Sequence, residues 1–172
     1  FLFHWIIRRA AEVELPLQIH TGYLSGNGSV LENSRPADLN NIFLQYPEVD
    51  FIIFHGGYPW TSQAVSLTKA FPNVSIDLVW LPQISKEAAV RALEEILDMV
   101  PYNKILWGGD CETIEETAGS LESGKEVVAR VLAARVERGA MSEETARDVA
   151  LKIFRENAVR LFKLEERLGR PF

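Results

Sequence analysis

The chain has 172 residues, 47% of them hydrophobic and 24% charged, with a net charge of −6 and an isoelectric point near 5.2. That is one globular domain's worth of sequence, residues 1–172 as a single unit, too apolar for a disordered chain. Its balance lacks the clustered Lys and Arg that nucleic acid or an anionic membrane requires. A single cysteine, Cys111, excludes an internal disulfide framework and a Cys-rich zinc module, and no apolar run reaches the roughly 18 residues of a membrane span.

The opening stretch Phe1-Leu2-Phe3-His4-Trp5-Ile6-Ile7 has no initiator Met, no helix-start signal and no charged leader with a cleavage site. It is expected to be a helix entered partway along, in a chain that is a piece of a longer one. The lone thiol and the lack of a leader fit a cytoplasmic location, and the triplets Asn27-Gly28-Ser29 and Asn73-Val74-Ser75 are then chance matches to a glycosylation signal.

After this helix comes a strand, Leu15 to His20. Three further strand-like runs each follow a residue-plus-proline pair. Tyr46-Pro47 leads into Val49–His55, Phe71-Pro72 into Val74–Trp80, and Val100-Pro101 into Lys104–Asp110. Proline cannot continue a helix and pushes its predecessor toward extended geometry, so each pair punctuates helix-to-strand. The runs are short and almost continuously apolar, the pattern of parallel strands covered on both faces. Helices are predicted between and after them, at residues 37–46, 62–71, 85–99, 120–138 and 142–164. Ser85 and Ser142 sit at helix starts with acids just behind, and Gly139 stands where a helix C-terminus prefers glycine. Val127, Val131, Leu132 and Val136 form one stripe. The result is an α/β fold of four strand–helix units, either part of a doubly wound sheet or half of a (β/α)8 barrel.

In either architecture chemistry collects where strands end. His20, His55 and Asp110 occupy equivalent strand ends, each His followed closely by glycine, which permits tight turns and close approach of a ligand. Imidazole and carboxylate are ligands of Zn²⁺ and related ions, and an ion with an open position activates water. Asp110 has a second reading, the N-cap of the helix that follows. Tyr23, Trp60 and Trp80 follow or end strands and are candidates for a substrate-binding wall, with plain packing as the alternative. His4 is read as a packed or rim histidine and Cys111 as an unreactive thiol. Asp77 is read as a polar contact in a barrel interior, and Ser25-Gly26-Asn27-Gly28-Ser29 as a loop without the Lys and capped helix of a phosphate-binding motif. A flavodoxin-like domain is correspondingly disfavoured.

At these residues the sequence resembles the amidohydrolase superfamily, specifically the amidohydrolase 2 group of TIM-barrel metal-dependent hydrolases. The matching pieces are Gln18-Ile19-His20-Thr21-Gly22, Phe54-His55-Gly56-Gly57-Tyr58-Pro59, Ile76-Asp77-Leu78, Ile105-Leu106-Trp107-Gly108-Gly109-Asp110 and Glu156-Asn157-Ala158-Val159-Arg160-Leu161-Phe162, in the family's order. The resemblance implies the C-terminal half of a (β/α)8 barrel, strands five to eight. It implies that His20 is the fifth-strand metal ligand and that His55 ligates metal or acts on the substrate. Asp110 would be the eighth-strand ligand and proton shuttle. The implied cofactor is a divalent metal, Zn²⁺ first, with Mn²⁺ or another divalent ion as the alternative.

The family's first-strand His-x-His is absent from this sequence, so half the implied cage is missing. The parent activity implied is hydrolysis of a C–N or C–O bond in a small-molecule substrate through metal-activated water. Decarboxylases and sugar-acid isomerases or lactonases belong to the same group. The rival expectation is a catalytically silent half-barrel or truncated fragment. Its open edges would be covered by a homo-oligomer or by the missing half-barrel.

Overall fold

The computed structural model describes residues 1–25 and 28–171. The centre of the glycine-rich stretch, Gly26-Asn27, therefore lies outside the described residues, and with it the start of the first glycosylation-like triplet.

Four short parallel strands make one sheet: β1 (Leu17–Ile19), β2 (Phe51–Ile53), β3 (Val74–Asp77) and β4 (Ile105–Leu106), in the spatial order β1-β2-β3-β4. Leu17 lies opposite Phe51 and Phe51 opposite Val74, while Ile53 faces Ile76 and Ile76 faces Ile105. The sequential order separates the two architectures that the sequence leaves open. A doubly wound sheet reverses direction at a switch point, whereas a barrel wall adds each strand beside the previous one. This sheet grows in one direction only.

Each strand is shorter than the apolar run that contains it, because the chain turns away once its side chains reach the rim. One face of the sheet belongs to the helices. Phe51, Ile53, Val74, Ile76 and Ile105 are fully buried in one cluster with Phe43, Val65, Leu93, Ile96 and Val131. The alternate positions point to the other face, where Ile52 and Leu106 meet Leu161 in a separate, smaller cluster. Ser75 and Asp77 are buried on that face too, while Gln18 is exposed.

The helices are α1 (Leu2–Glu12), α2 (Asn40–Gln45), α3 (Thr61–Ala70), α4 (Leu81–Ile84), α5 (Lys86–Met99), α6 (Ile114–Glu137), α7 (Glu143–Leu151), α8 (Asn157–Leu161) and α9 (Leu164–Leu168). Ser85 and Ser142 accept hydrogen bonds from the amides of Ala88 and Thr145, as N-caps do. Gly139, at φ 72°, closes α6 with its amide on Val136 O and the Ala140 amide on Arg135 O, which is a Schellman motif.

The structure corrects two helix boundaries. α6 starts at Ile114 rather than Ser120, because Thr113 caps the Glu116 amide and puts Glu115 and Glu116 in the first turn. The long terminal helix breaks: residues 152–156 widen into a π turn, and Lys163 at φ 51° separates α8 from α9. The wide turn delivers Asn157, whose amide donates to Tyr102 O at 2.7 Å and Ile105 O at 2.8 Å, pinning α8 to β4. Among the described residues, no helix is long and apolar enough to cross a membrane.

Candidate active site

Four strand ends carry the candidate side chains, and three of them share a backbone feature that sequence pattern does not reveal. His55 after β2, Trp80 after β3 and Asp110 after β4 all adopt the left-handed region, with φ of 58°, 58° and 54°. That conformation costs an L-residue roughly 1–2 kcal/mol, and such residues cluster at functional sites where surrounding structure holds them. Each of these chains turns sharply off its strand and aims its side chain along one rim. The end of β1 is held to the same rim by other means. Thr21 Oγ1 donates to Phe54 O at 3.0 Å, and the Tyr23 amide donates to Tyr58 O at 2.7 Å. Gly22, at φ 77°, lies so close to this crossing that a Cβ there would sit 1.9 Å from Tyr58 O.

His20 and His55 meet edge to face, ring centroids 4.3 Å apart. His55 is fully buried, and its Nδ1 lies 2.7 Å from Val79 O. A carbonyl oxygen only accepts, so Nδ1 carries the proton and Nε2 presents a lone pair. The same logic applies to His20, whose Nε2 lies 2.8 Å from Tyr23 O, leaving Nδ1 unprotonated. These two bare nitrogens face each other at 3.2 Å. Neutral rings in this arrangement direct two lone pairs at one point, where only a proton or a cation relieves the repulsion. Burial holds the His55 pKa below its ordinary value against the hydrogen bond to Val79, which raises it; His20 lowers it further and Asp110 opposes. The ring therefore favours its neutral form near pH 7.

This donor set fits a metal ion. Two imidazole nitrogens on a tetrahedral ion with Zn–N of about 2.0–2.1 Å stand about 3.3 Å apart, close to the spacing found. Both outer N–H groups donate to backbone carbonyls, the outer-shell arrangement that fixes tautomer and ring orientation in metal-binding histidines. The fit is partial: among the described residues, no three His, Cys, Asp or Glu side chains converge into a cage. Asp110 stands across an open cleft of ≈ 400 Å³ lined by His20, Ser25, Trp80, Asp110, Cys111, Glu112 and Glu116.

Of the aromatic candidates, Trp80 lines this cleft, stands 5.6 Å from His55 in a T-shaped contact, and meets Tyr23 at 5.9 Å. Trp60 is placed differently. It precedes α3, lies under the guanidinium of Arg35 at 6.0 Å, and is outside the cleft lining. Asp110 is not a helix N-cap, since Thr113 fills that role. His4 is half-buried against the Tyr46 hydroxyl at 2.8 Å. Cys111 lies at the cleft with Gln83 Nε2 4.0 Å from its sulfur.

Sequence reasoning passed over Gln83 and undervalued Asp77. Gln83 Nε2 donates to Gly109 O at 3.0 Å and Ser120 Oγ at 2.6 Å, holding the segment before Asp110 against α6. Asp77 is only 4% exposed, and burial pushes its carboxyl up to about 7, against the hydrogen bond from the Val79 amide. A charged residue inside an apolar strand was the available signal.

The amidohydrolase profile (the amidohydrolase 2 group) matches residues 2–164. The chain belongs to the amidohydrolase family. Its relatives include Protein fluG of Emericella nidulans, 35% identical over 173 aligned positions. That match takes in 94% of this amidohydrolase chain but spans only 20% of the fluG protein. Among solved structures, one named for a metal-dependent hydrolase, from Lactobacillus casei ATCC 334, superposes with a TM-score of 0.81 at 21% identity, over 97% of this chain and 45% of that one. An amidohydrolase 2 protein from Bifidobacterium longum subsp. infantis matches with a TM-score of 0.50 at 16% identity, over 91% of this chain and 53% of that one. At these identities the structural likenesses carry the fold. The amidohydrolase chain described here spans about half the length of those solved structures.

Proposed function

We propose that this chain supplies the fifth to eighth strands of an amidohydrolase barrel and one side of a divalent-metal site that hydrolyses a C–N or C–O bond in a small molecule. The observation that carries the reading is the approach of His55 Nε2 to His20 Nδ1 at 3.2 Å, with the outer nitrogen of each ring set against a backbone carbonyl. His20 and His55 would hold the ion, with Asp110 as the third protein group; zinc suits this mixed imidazole and carboxylate set, and Mn²⁺ is the alternative. A bound ion supplies Lewis acidity, which brings the pKa of water toward about 7.

The chain's own residues do the rest. Asp110 is exposed at the cleft, where its carboxylate accepts the proton of an attacking water. The left-handed turn at Asp110 takes the chain off β4 at the cleft that His20 also lines. Trp80, backed by Tyr23, forms an apolar wall that excludes water from one side and gives a planar substrate a face to lie on. His55, fixed through Val79, keeps its orientation as charge develops.

A second reading has its own observation. Two histidines, rather than three or more groups, converge among the described residues. Strands β1 and β4 are the unpaired edges of the sheet. A silent half-barrel that associates with a copy of itself or with a complementary half satisfies both facts. Competition for Zn²⁺ against a chromophoric chelator separates the readings. The metal-site reading predicts one Zn²⁺ per chain, held much more weakly by His20→Ala. A chain that takes up no metal, with or without a complementary barrel half, overturns it. With metal bound, product analysis on amide, lactone and carboxylic-acid substrates distinguishes hydrolysis from decarboxylation.

A further inference from the structure

His55 and Asp110 stand on different strands, and both occupy backbone conformations that an isolated chain avoids. Something must hold them. The Asp77 side chain, at the end of the strand between them, touches the supports of both.

β3 ends at Asp77, directly opposite Leu106 of β4. From there the chain leaves the sheet in a tight turn. The Val79 amide donates back to Asp77 Oδ1 at 2.8 Å, and Trp80 then swings to φ 58°. The peptide that begins at Val79 is the one whose carbonyl takes the Nδ1–H of His55 at 2.7 Å and the Leu81 amide at 2.7 Å. Gly108, two residues before Asp110, packs on the other oxygen of the same carboxyl: a Cβ added there would lie 3.6 Å from Asp77 Oδ2. One buried carboxyl therefore anchors the turn that orients His55 and packs against the backbone that leads into Asp110. It lies outside the cleft lining, so it holds these groups without meeting a ligand.

A position this deep inside an apolar sheet has every physical reason to be a hydrophobe. Taking an ionisable carboxyl out of water disfavours its charged form, as its raised pKa reflects. A hydrophobe there would leave the Val79 amide without an acceptor and the Val79 carbonyl, which holds the His55 ring, free to rotate. Asparagine keeps one carbonyl oxygen for the Val79 amide, but sets an NH2 group beside Gly108 where the carboxyl presents a second oxygen.

We propose that Asp77 is the positioning residue of the site, setting the ring orientation of His55 through Val79 and the aim of Asp110 through Gly108. The proposal rests on the reading above only for what those two side chains do. The positions themselves are measurable without metal or substrate.

The test is long-range ¹H–¹⁵N correlation of the imidazole rings in the metal-free, ¹⁵N-labelled chain, with Zn²⁺ affinity as a second readout. Wild type should show His55 as the Nδ1–H tautomer. Asp77→Ala should shift His55 toward a mixture of tautomers and weaken Zn²⁺ binding about 10–100-fold, the usual effect of losing an outer-shell partner. Val74→Ala, a buried cavity on the helix-facing side of the same strand, lowers stability and should leave the tautomer alone. Asp77→Asn keeps one acceptor. It should preserve the His55 tautomer and the Val79 amide resonance, while the Gly108 and Gly109 amides move. Should Asp77→Ala fail to fold, Asp77→Asn alone decides. A folded Asp77→Ala with an unchanged tautomer, or an Asp77→Asn with unchanged Gly108 and Gly109 resonances, overturns the proposal. A wild type that binds no Zn²⁺ sinks the functional reading instead, and leaves the tautomer to decide this one.

Discussion

Replacing Asp77 by Asn changes how stability depends on pH, and the size of the change follows from burial. The carboxyl is 4% exposed and its pKa is raised from 3.8 to about 7, burial being the largest cause. In the unfolded chain it ionises near the ordinary value. Below pH 4 both states are protonated and no penalty exists. As pH rises from about 4 to 7 the unfolded state ionises first, and stability falls until the folded carboxyl ionises too. About three pKa units correspond to about 4 kcal/mol in full, of which some 3 kcal/mol falls between pH 5 and pH 8. The opposite trend from His55, whose lowered pKa removes stability as pH falls through its unfolded value, is present in both proteins and cancels in their difference. Asp110, which raises the Asp77 value, is likewise common to both. Urea unfolding with a chelator present, at pH 5, 6.5 and 8, should therefore show Asp77→Asn gaining on wild type by about 3 kcal/mol across the range. A difference that stays flat with pH would refute the buried, ionisable Asp77 described here.

Other substitutions test other parts of the structure. Gly22→Ala puts a Cβ 1.9 Å from Tyr58 O at φ 77°, so its urea midpoint should fall by the equivalent of at least ~2 kcal/mol. Gln83→Leu leaves Gly109 O and Ser120 Oγ without their donor; calorimetry should record a loss of about 1–3 kcal/mol. Thr113→Ala removes the cap on the Glu116 amide, and thermal unfolding should register about 1 kcal/mol. Leu93→Ala empties a fully buried position among the helices and should cost about 2–5 kcal/mol by urea unfolding.

The proline-led strands and the rim position of His20, His55 and Asp110 were legible in the sequence because local rules determine them. Proline stops helices, and apolar runs of strand length are buried in sheets. What escaped was set by contacts distant in the chain. The break after α7 depends on Asn157 reaching carbonyls 52 and 55 residues away, and a helical pattern running through residues 142–164 gives no sign of it. The helix start at Ile114 is locally encoded, by Thr113 and the two glutamates, while the apolar stripe that marks a helix begins further along the chain. Among the site residues, Trp60 and Trp80 look alike in sequence. Only the turn after β3, held by Asp77, brings Trp80 to the cleft, while Trp60 stays under Arg35. The left-handed conformations at His55, Trp80 and Asp110 left no compositional trace, since none of the three is the glycine that usually marks such a turn.

The central claim is that His20 and His55 point their unprotonated nitrogens at a shared cation. Zinc K-edge absorption fine structure on the Zn²⁺-loaded chain tests it most directly. Two imidazole scatterers are expected at about 2.0–2.1 Å, falling to one in His20→Ala and to one in His55→Ala. A spectrum with no imidazole contribution, or one unchanged in both variants, would contradict it.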